Sequence, residues 1–160
     1  MNLGFLTLAA ACLVACHGPR AGSANDPARA VQGDTVIGTV QLVGTDPFPR
    51  TVILPANSGI SLRLIGPPTL QRVNGLEVQV VGQRAGDQFT VTSFLVVGAN
   101  GQPTTDGRLV MDSGTLYIVT QDGVRHALVN PSPNLRSRAG QRVWVSGPLD
   151  REPIAYGFIE

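Results

Sequence analysis

The chain has 160 residues, 12 Arg, no Lys and 11 acidic residues, leaving a net charge of +1. One domain or two very small ones is expected, and no global field points to nucleic acid or another polyanion. Charged residues are 14% of the chain and aromatics 5%, while 19 Gly and 12 Pro punctuate it; that mix excludes a coiled coil or long helices and favours short strands joined by tight turns. Both Cys lie within the first sixteen residues, so a folded body beyond them has no disulfide.

An apolar stretch runs from Leu3 to Ala15. It falls short of the roughly 20 apolar residues of a membrane-spanning helix and suits the core of a secretory signal, although no basic side chain precedes it. It ends in Leu13-Val14-Ala15-Cys16. These residues resemble the lipobox of bacterial lipoprotein signal peptides: an apolar residue, a small or β-branched one, Ala or Gly, then Cys. The resemblance implies removal of residues 1–15 and a mature chain starting at Cys16, with lipid on its thiol and palmitate-type acylation of its amine. Several acyl chains anchor a protein where one would not. It also implies residence in the cell envelope, with His17 in place of Asp pointing to the outer membrane or cell surface. Residues 17–34 hold almost no large apolar side chain and cannot offset the entropy of ordering. With Cys16 they read as a tether (16–34) whose root-mean-square reach as a coil is about 25 Å.

From Thr35 onward apolar residues alternate with polar ones between turn signals. Val36, Gly38, Val40 and Leu42 mark a first long strand. Strands at 51–54 and 60–65 flank the loop 55–59, a helical turn fits 69–74, and strands at 76–82 and 89–97 follow. After a boundary at 99–106, strands fall at 107–112, 116–121, 124–129, 142–146 and 154–159, and Asp122-Gly123 predicts a type I′ hairpin turn. An offset of 65 residues superposes the halves: Pro68 on Pro133, Leu70 on Leu135, Gly75 on Gly140, Val78 on Val143, Val80 on Val145 and Gly82 on Gly147, with Phe89 meeting Ile154. The segment Thr51-Val-Ile-Leu then matches Thr115-Leu-Tyr-Ile, its preceding loop about five residues shorter in the second copy.

Five strands per copy, with a helical turn between the third and fourth, resemble the OB-fold, a small Greek-key barrel. The expectation is an all-β body of two tandem five-stranded OB-like units, residues 35–98 and 107–160. The alternative is one ten-stranded sandwich or barrel shared by both halves. Units this small bury little surface alone, so the copies should pack together.

No catalytic constellation is apparent. His126 is the one His of the β body; it is read as a packed residue, with a hydrolase pairing it with Ser113 or Ser146 as a remote alternative. No His, Cys and carboxylate cluster has metal-ligand spacing, no phosphate-binding glycine loop is present, and no cofactor is expected. Candidate contact residues are Arg125, Arg136, Arg138 and Arg142, four Arg without an acid between Gly123 and Leu149. Their guanidiniums could grip an anionic glycan or lipid head group. Trp144 should face away from the core and needs cover from the sister copy, a ligand or a partner protein. Tyr117 is the one aromatic on the second or third strand of either copy, too few for the stacked platform of a nucleic-acid-binding unit. The reading is therefore a membrane-anchored, non-enzymatic binding module of the envelope, or a structural envelope protein that takes no small ligand.

Overall fold

All ten predicted strands are present in the predicted order in a computed structural model that describes residues 33–45 and 47–160. The signal-like segment, Cys16, His17 and the tether up to residue 32 lie outside the described residues. Copy one comprises β1 (Asp34–Val43), β2 (Arg50–Pro55), β3 (Leu62–Ile65), a 3-10 turn (Pro68–Val73), β4 (Glu77–Ala85) and β5 (Gln88–Ala99). Copy two comprises β6 (Gln102–Asp112), β7 (Thr115–Val119), β8 (Arg125–Ala127), a single helical turn α1 (Pro133–Arg136), β9 (Arg142–Ser146) and β10 (Ala155–Phe158).

In copy one β1 pairs antiparallel with β2 and β4, β2 with β3, and β4 with β5, while β3 runs parallel to β5. The five strands thus close a ring in the order β1-β2-β3-β5-β4. Copy two repeats the β6–β7, β6–β9, β7–β8 and β9–β10 pairings. Among the described residues β8 pairs only with β7 and β10 only with β9, so this second ring stays open. A short β5–β6 pairing links everything into one ten-stranded sheet. Tandem units and a shared sheet are both present.

The duplication extends to individual hydrogen bonds. Leu76 carbonyl accepts from Val40 N–H at 3.0 Å and Gly75 N–H donates back to Val40 at 2.8 Å; Gln141, Leu109 and Gly140 repeat this at 2.9 and 2.7 Å. Gly75 and Gly140 have φ of 81° and 93°, the left-handed conformation open to glycine. Gly38 faces Val78 across the sheet and Gly107 faces Val143. A Cβ on either would overlap a backbone carbonyl, that of Leu54 or Val119. The coiled first strand therefore needs glycine in both copies, and Gly107 is the partner of Gly38.

Four expectations change. First, Val40 lies opposite Ile53 and Leu109 opposite Ile118, so the 65-residue offset holds for β2 as well. The match of Thr51 to Thr115 is one residue out of register, which would swap the faces of the strand; the β1–β2 link (44–49) exceeds the β6–β7 link (113–114) by four residues. Second, Phe89 is fully buried while Ile154 is 68% exposed. β5 carries two bulges against β4, so the counterparts facing Val145 and Val143 are Tyr156 and Phe158, as Phe94 and Val96 face Val80 and Val78. Third, residues 99–106 form no linker: Asn100 and Gly101, with φ of 51° and 74°, turn a two-residue hairpin whose second arm is already β6. Fourth, Asp122-Gly123 makes no type I′ turn. Only Gly123 has positive φ, and bonds from Gly123 N–H to Thr120 carbonyl (2.9 Å) and from Thr120 N–H to Val124 carbonyl (3.0 Å) define a three-residue loop ending in a glycine bulge.

The described body is one compact unit, Gly33–Glu160, with two apolar clusters. One surrounds Val40, Ile53, Phe89 and Phe94, the other Leu109, Ile118, Leu135 and Val143.

Candidate functional site

Two regions gather the predicted contact residues, and the first is internal. β3 covers one edge of β5 only along Gln88–Thr90, and β6 pairs there again only from Gly98. Side chains from copy two bond the backbone left open between them. The Asp106 carboxylate accepts Val96 N–H at 2.9 Å, and the Thr104 hydroxyl donates to the Val96 carbonyl at 2.7 Å. Arg142 grips both carboxylate oxygens of Asp106 at 2.9 and 2.8 Å and donates to the Phe94 carbonyl. Its guanidinium lies 4.5 Å from the centre of the Phe94 ring. The Asp106 side chain is only 3% exposed; a buried ion pair is tolerable when its remaining oxygens and protons are bonded, as here.

Trp144, two residues along β9, packs half-buried against the copy-one cluster, where Ile159 is wholly buried. Gly157 lies opposite Trp144 on β10, and a Cβ there would come within 2.7 Å of the indole nitrogen. The cover that Trp144 needs is therefore the sister copy. Together Arg142 and Trp144 hold the two copies to each other.

The second region is the turn between β6 and β7. On the strand after it, Tyr117 stacks under the Arg125 guanidinium at 4.5 Å, and Arg125 also bonds Asp112 at 2.9 Å. The hydrogen bond from Arg125, then that from the Ser113 hydroxyl, then the charge of Arg125 hold the Asp112 carboxyl below the ordinary aspartate range. From the other side Arg136, just inside α1, reaches the Gly114 carbonyl at 3.4 Å. Two guanidiniums and an aromatic face so converge on residues 112–117. Arg138 lies elsewhere, over the Phe158 ring at 4.8 Å. The run of four Arg is thus divided among three places and makes no single basic patch.

His126 sits on β8 opposite Ile118, half-buried. It lines a groove of about 750 Å³ with Leu95 and Val97 of β5, Thr105 of β6 and Val124. A neighbouring groove of about 510 Å³ shares Leu95, Asp106, Thr120 and Gln121 with it and adds Arg108, Arg142 and Glu160. Arg108 and Glu160 pair across it at 2.7 Å. Ser113 bonds Asp112, and Ser146 is buried at the end of β9 opposite Thr104 and Ala155. Among the described residues no three His, Cys, Asp or Glu side chains are placed to hold a metal ion.

Asp106, Arg108 and Glu160 are absent from the sequence-predicted set. One signal was available for Asp106: it is the single acid or base in the run from Gln88 to Gly107. Comparison with family models, curated proteins and solved structures finds no match to this chain.

Proposed function

We propose that this protein is exported, is acylated at Cys16 and presents its β body at the bacterial cell envelope as a non-enzymatic binding module. The observation that carries this reading is Leu13-Val14-Ala15-Cys16 behind an apolar stretch and ahead of a body that starts at Gly33. The ligand surface that fits best is the end of copy two where Arg125, Arg136 and Tyr117 meet the β6–β7 turn. Guanidiniums there offer two-pronged contacts to phosphate or carboxylate, and the tyrosine ring adds a flat apolar face. An anionic glycan or a lipid head group has that chemistry. The test is the intact mass of the protein recovered from bacterial membranes, beside a Cys16→Ser version. A mature mass starting at Cys16 with acyl chains added, and no such processing in the Ser version, supports the reading. An unmodified mass, or a cut elsewhere, removes the anchor.

A further inference from the structure

A concave apolar surface lies where the chain enters the β body, away from the clasp at Asp106. Val36 and Ile37 of β1, Pro55 and Ala56 at the end of β2, and Ile60 of the following loop line a groove of about 500 Å³. Ile60 is 71% exposed and Ile37 45% exposed. The loop that presents Ile60 is held in place: Ala56 N–H donates to the Ile37 carbonyl at 3.1 Å, Ser58 N–H to the Pro55 carbonyl at 3.2 Å, and Ile60 N–H to the Ser58 hydroxyl at 3.2 Å. Arg84 is the one charged residue of the lining.

We propose that this face rests on the membrane surface, with Ile37 and Ile60 in the boundary between head groups and acyl chains and Arg84 against lipid phosphate. The inference rests on the reading of Cys16 as the lipid anchor. Sixteen residues, 17–32, join Cys16 to Gly33, and the chain enters the body two residues before the groove begins at Thr35. Taken as the coil its composition predicts, a segment of that length would have a root-mean-square reach of about 25 Å. Tethering on this scale gives effective concentrations on the order of millimolar, so an apolar contact too weak to hold the free protein is populated in the anchored one. A pair of exposed isoleucines beside a cation suits an interfacial contact, in which apolar groups enter the boundary and an Arg reaches the phosphates.

The same copy supplies an internal control. Phe48 is 79% exposed but belongs to the loop at the opposite end of β1, a strand of ten residues, which is about 30 Å long. Exposure alone would favour Phe48, whereas the position of the tether favours Ile60. The experiment places an environment-sensitive fluorophore on Ile60→Cys or Phe48→Cys in the full-length protein, purified from membranes and reconstituted in vesicles of phosphatidylethanolamine and phosphatidylglycerol. Nitroxide-labelled lipid is the quencher, and intact mass verifies the anchor. Expected is a blue-shifted probe at position 60, quenched several-fold more than the one at position 48. An acylated chain whose probe at 60 is quenched no more than that at 48 overturns this inference and leaves the anchor standing. A chain that carries no acyl groups and does not float with the vesicles overturns both.

Discussion

The two copies share a backbone skeleton and part company at the third and fifth strands. In copy one β3 and β5 run side by side and seal the ring, with Leu62 opposite Ile53 and almost wholly buried. In copy two the residue opposite Ile118 is the half-buried His126, β8 has three residues, and no ladder joins it to β10. Side chains span the opening instead. The Tyr156 hydroxyl bonds the Ser132 hydroxyl at 2.9 Å, and Ser132 caps α1 by accepting Leu135 N–H at 3.3 Å. Tyr156 meets Phe158 edge to face at 5.8 Å, and Arg138 covers the Phe158 ring. The difference separates two requirements of the fold. Paired valines and close-approach glycines suffice for the skeleton, whereas closure also needs a fifth strand long enough to reach the third, as the twelve-residue β5 does through Gln88–Thr90 and the four-residue β10 does not. Copy two lacks that strand and leans on its sister through Arg142, Trp144 and Ile159, as a unit that buries little surface of its own must.

If copy two depends on that support, Arg142→Ala should have the largest effect. It leaves the Asp106 carboxylate buried without its charge partner, which costs about 3–5 kcal/mol, read as a lowered urea midpoint. Arg108→Ala breaks a pair whose side chains are 55% and 45% exposed and should cost about 0–1 kcal/mol. Equal losses would mean that the clasp has no special role. Trp144→Ala comes next, at about 2–3 kcal/mol, below the cost of a fully buried Trp because this one is only half-buried. Binding at the β6–β7 turn should survive that change wherever the fold does. Gly38→Ala and Gly107→Ala should each cost about 1–3 kcal/mol by forcing a strand apart; a large effect at one and none at the other would undo their equivalence. Tyr156→Phe removes only the bridge to Ser132, worth about 0.5–1.5 kcal/mol, and amide exchange around 128–132 should quicken more than in copy one.

Much of this architecture is legible in the sequence because it is written in periodic residues. Alternating valines reveal the strands, and recurrent Pro, Leu and Gly at one offset reveal the duplication. The misreadings have a common origin in positions where local patterns compete. Two threonines drew the β2 alignment one residue off, and Asn100-Gly101 was absorbed into an apparent linker because its neighbours are Gly, Pro and Thr. The roles of Trp144 and Arg142 are harder to read. Alternation puts both on the outer face of β9, but Phe94 and Asp106, which Arg142 meets, lie 48 and 36 residues away, and the cluster that Trp144 packs against belongs mostly to the other copy. The open ring is likewise invisible to strand counting, since β10 comes in the right order beside β9 and falls short of β5 only in length.

The smallest expected effect concerns the hairpin turns of copy two. Asp112 lies at the first and Asp122 at the second, and both carboxyls are held below the ordinary aspartate value of 3.8. For Asp112 the leading cause is the hydrogen bond from Arg125; for Asp122 it is that from the Thr120 hydroxyl, followed by the Val124 amide. A depressed folded-state value means that the fold favours the charged form. The stabilisation is therefore present above pH 3.8 and is lost as pH falls through the lower folded value. Both groups are at the surface, so the change in stability is slight and direct titration of the carboxyls by NMR is the better reading. Arg125→Ala should lift Asp112 toward 3.8 and leave Asp122 where it is, while Thr120→Val should do the reverse. If Asp112 stays depressed without Arg125, the Ser113 hydroxyl holds it instead. Arg125 would then be less committed to Asp112 and freer to meet an anion beside Tyr117.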